Sequence, residues 1–206
     1  MRLQRMAWMT VLLVALGGAA ACSGDDDDDG VDAGGGTPDA AAGVAPTCTE
    51  YCTRVTTNCS GLNIQYTDMA ECMSYCGAIA WTPGVDDPAQ DGDTLGCRQY
   101  HAGAAGSTGM PDVHCPHAGP TGANVCGTAC DVYCDNLEKN CAADTVKYAD
   151  RAACTAACAG MTEGTPADAA GDTAFCRVYH SGVPAFTDAT THCPHARQTP
   201  TAVCVP

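Results

Sequence analysis

Basic residues are scarce in this chain of 206 residues, and their scarcity excludes several kinds of partner. Lysine and arginine together number nine against 24 aspartates and glutamates, so the formal net charge is −15. Nucleic acids are held mainly by clusters of basic side chains on phosphate groups, so a nucleic-acid partner is not expected. The same charge argues against electrostatic docking on anionic lipids.

Large apolar residues are also few, with two phenylalanines and two tryptophans in the whole chain. Small exported domains that cannot bury enough apolar surface are usually held together by disulfides, and the 17 cysteines can supply them. One long apolar run lies at 6–16, and no second long apolar run follows it. The sequence therefore predicts no membrane-spanning helix after that run.

The N-terminal segment 1–21 has the layout of a signal peptide. Two arginines precede the apolar run, and small residues lead from it to Cys22. The AAAC junction at 19–22 resembles a bacterial lipobox, which implies that Cys22 is lipidated and becomes the new N-terminus. It departs from the usual pattern at position 19, where leucine is commoner, and ordinary secretory cleavage is the alternative. Cys22 is the one cysteine outside the repeats, and lipidation would explain an odd cysteine in an exported protein.

Residues 22–47 predict a disordered acidic tether, because five consecutive aspartates among glycines and alanines offer nothing to bury. Ser23 after the lipidated cysteine suits the outer membrane by the sorting rule known from enterobacteria. We therefore expect a bacterial cell-envelope protein that contacts the membrane through an N-terminal lipid and lies at the outer membrane.

One module of eight cysteines occurs twice, at 48–126 and at 127–206. The first five cysteines recur at identical spacing, and the length differences fall in stretches rich in proline, glycine and aspartate. Insertions belong in loops, so this pattern indicates a duplication. An even number of cysteines allows each module to close its own bridges.

Two CxxxC pairs in each module predict a helical hairpin, because cysteines one helical turn apart share a face. Asp68 and Glu71 resemble a capping box at the start of the second helix. The predicted hairpin bridges are Cys48–Cys76, Cys52–Cys72, Cys130–Cys158 and Cys134–Cys154. The spacing resembles that of plant antimicrobial hairpin peptides.

The second half of each module predicts a third short helix followed by a loop that cysteines hold in place. Asp93 or Thr94 would cap this helix and Gly103 would end it. The last four cysteines of a module permit three pairings, of which we prefer one. The preferred bridges are Cys59–Cys97, Cys115–Cys126, Cys141–Cys176 and Cys193–Cys204. The predicted fold class is thus a small, disulfide-rich, mainly α protein of two tandem modules.

All six histidines lie in two repeated motifs, CRxYH and HCPHA. The complete tandem pattern, CxxxC…CRxYH…HCPHA, resembles that of uncharacterised cysteine-rich lipoproteins of myxobacteria, over nearly the full chain, and this resemblance implies no activity. Three imidazoles per module would suit zinc or copper with an open fourth position. The candidate ligands are His101, His114 and His117 in the first module and His180, His192 and His195 in the second. The other interpretation, which we rank first from the sequence, is that they are structural residues bonded to backbone carbonyls.

Motifs for catalysis are lacking, and no cofactor is certain. The chain has no GxSxG, phosphate loop or dinucleotide fingerprint. Tyr100 stands where c-type haem attachment needs a second thiol. The leading prediction is an envelope-anchored, cysteine-rich lipoprotein with a binding or structural role and no catalysis. The alternative is a periplasmic copper or zinc binder, and an enzyme that uses one histidine cluster ranks third.

Overall fold

The computed structural model describes residues 45–86, 91–144 and 148–206. These residues form helices joined by short loops, and they contain no β-strand beyond isolated bridges. The mainly helical, disulfide-rich fold predicted from the sequence is therefore confirmed. The predicted signal peptide 1–21, Cys22 and the tether up to residue 44 lie outside the described residues.

Two sets of helices follow one another, one in each predicted module. The first set is α1 (Cys48–Asn58), α2 (Met69–Ile79), α3 (Leu95–Ser107) and α4 (Pro111–Ala118), with short 3₁₀ turns at Gly61–Asn63 and Gly122–Asn124. The second set is α5 (Ala129–Asn140), α6 (Arg151–Cys158), α7 (Ala174–Ser181), α8 (Val183–Thr187) and α9 (Ala189–Ala196). Helices α7 and α8 together take the place of the longer α3.

Threonine and aspartate side chains begin the helices at matching places in both modules. Thr94 and Thr173 each accept a hydrogen bond from the backbone N–H of a following cysteine. Asp68 accepts one from the N–H of Glu71, while the Glu71 carboxylate accepts one from the N–H of Thr67. Asp68 thus makes its half of the predicted capping box, whereas the Glu71 side chain reaches back one residue further, to Thr67. Such caps satisfy N–H groups that have no partner inside the helix.

Two disulfides hold each helical hairpin together. They are Cys48–Cys76 and Cys52–Cys72 in the first module and Cys130–Cys158 and Cys134–Cys154 in the second. Their Cα atoms lie 5.6–5.9 Å apart, as expected for cysteines that face each other across two helices. These are the pairs that the CxxxC spacing predicts.

The remaining four bridges differ from the preferred pairing. The structure has Cys59–Cys115, Cys97–Cys126, Cys141–Cys193 and Cys176–Cys204. The predicted pairs Cys59–Cys97, Cys115–Cys126, Cys141–Cys176 and Cys193–Cys204 are therefore wrong. Both modules adopt the same alternative among the three that the sequence left open.

The path of the chain after α3 explains this pairing. Cys115 in α4 lies against the C-terminal end of α1, where its sulfur is 3.9 Å from a backbone carbonyl oxygen. The chain then returns to the beginning of α3, where the Val125 carbonyl accepts a hydrogen bond of 3.2 Å from the N–H of Gly92. Cys126 consequently meets Cys97 near the start of α3.

The HCPHA motifs are helical, although the sequence predicted a loop there. Pro116 and Pro194 each lie inside an eight-residue helix, α4 or α9. A proline removes the hydrogen bond to the carbonyl four residues earlier. Here that carbonyl belongs to Asp112 or Thr190, both exposed, so water can satisfy it. The cost of proline is therefore small enough for packing to outweigh it.

The third helix ends differently in the two modules. In the first, α3 continues past Gly103 to Ser107, so the predicted end at Gly103 is wrong. In the second, α7 ends at Ser181, and α8 begins directly after with Pro184 in its first turn. Proline is tolerated at the start of a helix but not in its interior, which explains the break.

The second module packs on the first through α5 and α8. The ring of Phe186 in α8 meets the ring of Tyr75 edge to face, with centroids 5.7 Å apart. The Tyr75 hydroxyl donates a 3.0 Å hydrogen bond to Oδ1 of Asn136, and the Lys139 ammonium donates to the Ile79 carbonyl. Tyr75 is fully buried in the core of the first module, and Val183 and Phe186 of the second module pack against that core.

The bridge between α1 and α4 should contribute strongly to stability. The double replacement Cys59→Ser and Cys115→Ser should lower the free energy of unfolding by about 2–5 kcal/mol, the usual cost of losing a disulfide in a small exported domain. Urea denaturation, with Cys141→Ser and Cys193→Ser as the matched variant in the second module, measures the loss. A non-reducing peptide map of the wild type that joins Cys59 to Cys97 would contradict this pairing.

Candidate metal centre

Three histidines of each module converge from two packed helices. His101 lies on α3, and His114 and His117 lie on α4, where a spacing of three residues puts them on one face. The His101 ring centroid is 5.3 Å from that of His114 and 4.8 Å from that of His117. The second module has His180, His192 and His195, with corresponding distances of 5.2 and 4.8 Å. The structure thus brings together both sets of candidate ligands, which we call the first and second histidine trios.

Within each trio, Nδ1 atoms of neighbouring rings approach each other closely. Nδ1 of His101 lies 3.0 Å from Nδ1 of His114. Nδ1 of His180 lies 2.9 Å from that of His192 and 3.4 Å from that of His195. Two imidazole nitrogens bound to one zinc ion at about 2.0–2.1 Å lie roughly 2.9 Å apart at a right angle and about 3.4 Å apart at the tetrahedral angle. The observed distances fit nitrogens that share one ion, and they also fit an N–H···N hydrogen bond between two neutral rings.

One buried nitrogen of the first trio has no hydrogen-bond partner in the part of the chain that the structure describes. It is Nδ1 of His117, which is buried. An unpaired buried polar atom costs about 1–3 kcal/mol. An ion bound among the three rings would accept its lone pair and remove this cost.

A backbone carbonyl sets the tautomer of His180. Its Nε2 lies 3.1 Å from the carbonyl oxygen of Ala169. A carbonyl can only accept, so Nε2 carries the proton, and the neutral ring presents the lone pair of Nδ1 to the trio. Metal-binding histidines are oriented by such a bond from their other nitrogen. The corresponding stretch of the first module, 87–90, lies outside the described residues.

Burial lowers the pKa of four of the six rings and so favours the neutral form that binds metals. Together with the nearby His117 and His114 rings, it lowers the pKa of His101 to about 4. The pKa values of His117, His180 and His195 are lowered as well, again mainly because of burial. Imidazole must be deprotonated to bind an ion, so the trios are suited to metal binding at neutral pH.

The sulfur atoms beside the trios are already bonded. Cys97 and Cys126 lie within 4.8 Å of a ring nitrogen of His101, but they form a disulfide with each other. The second module repeats this arrangement with its own bridge. Metal ions bind thiolates, so each trio offers three nitrogen donors and no sulfur donor in the oxidised protein.

A buried tyrosine holds the end of each HCPHA helix. The Tyr51 hydroxyl donates a 2.7 Å hydrogen bond to the Ala118 carbonyl, and Tyr133 donates one of 2.5 Å to the Ala196 carbonyl. Both tyrosines are fully buried. Reasoning from the sequence missed this role, although the recurrence of the tyrosine in both modules was a signal for it.

A buried arginine secures the chain just after α4. Arg98 is fully buried, and its Nε donates to the Gly119 carbonyl at 3.3 Å. Its guanidinium pairs with the Asp93 carboxylate at 2.6 Å and lies 4.2 Å from the centroid of the Trp81 ring. The second module has the same ion pair. In the sequence, this arginine and this aspartate are visible only as residues that recur in both modules. Their burial and their contact with each other become visible only in the fold.

The fold and the sites define a class: a disulfide-stapled helical protein of two tandem modules, each with a histidine trio. The chain matches the BfoA family C-terminal domain twice, over residues 37–131 and 127–206, and it belongs to this family. No curated protein and no solved structure matches the chain significantly. The double match supports the tandem arrangement predicted from the cysteine pattern.

In metal-free protein, the pKa of His101 should be about 4, well below the ordinary histidine value of about 6.5. The ring then binds a proton in the unfolded chain at a higher pH than in the fold. The free energy of unfolding should therefore decrease as the pH falls from about 6.5 towards 4. Nuclear magnetic resonance titration of the ring protons measures the pKa, and urea melts across this range measure the loss. A His101 pKa of about 6.5 or higher would contradict the effect of burial.

Proposed function

We propose that the protein binds transition-metal ions at the bacterial cell envelope, with one zinc or copper ion in each module and no catalysis. The observation that carries the proposal is the close approach of Nδ1 atoms, 3.0 Å in the first trio and 2.9 Å in the second. The two trios come from different parts of the chain and have nearly the same geometry. Both copies of the duplicated module therefore keep the same arrangement of nitrogen donors.

The competing interpretation, ranked first from the sequence, is that the histidines only pack the interior. A structural imidazole donates one nitrogen to a carbonyl, as His180 does to Ala169, and its other nitrogen then needs a donor. Within the described residues, Nδ1 of His117 lacks such a partner. One ion would satisfy all three Nδ1 atoms of a trio together, which favours metal binding over packing alone.

Zinc and copper are the ions that suit this donor set. Imidazole nitrogen suits zinc and copper, whereas magnesium and calcium prefer oxygen ligands. In the described part of the chain, each trio forms a possible metal site whose donors are histidine nitrogens alone. Three protein nitrogens leave a fourth position for water or a small ligand.

We expect the ion to be bound, stored or passed on, without chemistry on a substrate. A cysteine–histidine pair for nucleophilic catalysis is not supported, because Cys115, between His114 and His117, is bridged to Cys59. The chain's charge of −15 likewise supports the expectation that nucleic acid is not a partner.

The proposed location is the outer membrane, with a lipid on Cys22 as the anchor. The described residues include no helix of the length and apolar character needed to cross a bilayer. The bridges in both modules support an oxidising compartment outside the cytoplasm. The acidic tether would then hold the modules away from the membrane surface.

Purified, oxidised protein should bind two zinc or copper ions per chain. His117→Ala and His195→Ala should each remove one ion and leave the other, because each module has its own site. The disulfides should keep both variants folded. Isothermal titration calorimetry and metal analysis after dialysis give the stoichiometry. Binding should weaken as the pH falls far enough to protonate the rings.

A thermal or urea melt of the same variants separates metal binding from packing. If the histidines are only structural, neither zinc nor copper should bind at micromolar concentration, and His117→Ala should destabilise the metal-free protein because it removes the packing of a partly buried ring. That result would refute the metal proposal. The matched variant Leu62→Ser, at a fully exposed position, should change neither stoichiometry nor stability.

Mass spectrometry of the mature N-terminus should find Cys22 modified by lipid. Cys22 ends a signal-like segment and has no counterpart in the repeats. Cys22→Ser should prevent lipidation and release the protein from the membrane fraction. An unmodified N-terminus at Cys22 or Ser23 would overturn the anchor and leave the metal proposal standing.

A further inference from the structure

A groove of about 460 Å³ lies where the two modules meet. One wall comes from the first module and includes Ile64 and Pro120, and the other comes from the second and includes Val178, Val183 and Pro184. The break between α7 and α8 shapes this second wall, because the chain turns there to pack on the first module. The volume is typical of a small-molecule site.

The groove borders the second histidine trio. His192 lines it, and the same ring has its Nδ1 2.9 Å from Nδ1 of His180. Val178 and Tyr179, which directly precede His180, also line the groove. Both helices that carry the second trio therefore contribute to the groove. The first trio does not contribute to its lining.

The charges of the groove restrict the ligand that it suits. Its lining contains the carboxylates of Glu71 and Asp188 and, within the described residues, no lysine or arginine. A ligand with an anionic head would be repelled by these carboxylates. Ile64, Pro120 and Val183 give the remaining walls an apolar character. The groove therefore favours a ligand with an apolar body and no negative charge, and a nitrogen that binds an ion must in addition be unprotonated.

We propose that the groove binds a small organic ligand that has an apolar body and a neutral aromatic nitrogen, and that this nitrogen takes the fourth position of the ion held by the second trio. The nitrogen replaces a water ligand, and no covalent bond within the ligand changes. This proposal rests on the proposed metal-binding function. It makes the two sites unequal: the second selects its exogenous ligand, and the first does not.

The test uses cobalt(II) in place of zinc, because its visible spectrum reports a change of donor atom. In the full-length chain, His117→Ala keeps the second site alone, and His195→Ala keeps the first site alone. Each variant is titrated with 4-phenylimidazole and with imidazole, which has the same donor without the apolar body. At the second site, 4-phenylimidazole should bind about tenfold or more tightly than imidazole, because its phenyl group is buried. At the first site the two affinities should agree within about threefold.

Ile64→Ser provides the sharpest variant, because it changes the first module and is read out at the metal of the second. In the His117→Ala background it should weaken 4-phenylimidazole by about fivefold and leave imidazole unchanged. Leu62→Ser is the matched control, since Leu62 is exposed, close in sequence and not part of the groove lining. It should change neither affinity.

The outcomes separate the two proposals. Equal affinities of the two compounds at the second site, or equal effects of Ile64→Ser and Leu62→Ser, would overturn the groove proposal and leave metal binding intact. Phenylacetate has an apolar body with an anionic head, and tight binding of it to the second site would contradict the neutral head. If neither variant bound cobalt(II) or zinc, both proposals would fail.

Discussion

The disulfide between Cys59 and Cys115, with its counterpart in the second module, is the constraint on which each site depends. It fastens the middle of the HCPHA helix to the end of the first hairpin helix. A helix of eight residues with few apolar side chains has little stability of its own. The disulfide supplies the stability that the small buried apolar surface of this helix cannot, and it holds His114 and His117 beside His101.

Polar groups in the core complete the support of α4. The hydroxyl of Tyr51 and the guanidinium of Arg98 bond to the last carbonyls of this segment, so the helix end is fixed by directed contacts. Metal sites bind well when the ligands are held in place before the ion arrives. The disulfides and these buried hydrogen bonds together hold the histidines of the first trio in fixed positions, as the proposed metal site requires.

Duplication produced two similar trios, and the packing of the modules made their surroundings different. Helix α3 runs on to Ser107, whereas α7 stops at Ser181 and α8 turns to bring Phe186 against Tyr75. The same turn forms one wall of the groove beside the second trio. A short change in sequence near Pro184 can thus give one of two similar trios a new neighbour without altering its three histidines.

The sequence by itself determined the duplication, the start of the third helix at Asp93 or Thr94, the hairpin bridges and the membership of each trio. Caps and one-turn cysteine spacings act over a few residues, so local reasoning is enough. Only the tertiary structure decided that Cys59 meets Cys115, that the HCPHA motifs are helical and that a groove borders the second trio. These features depend on how α4 and α8 return across the hairpins. Such contacts join residues far apart in the chain, and packing decides them against local signals such as the proline inside α4.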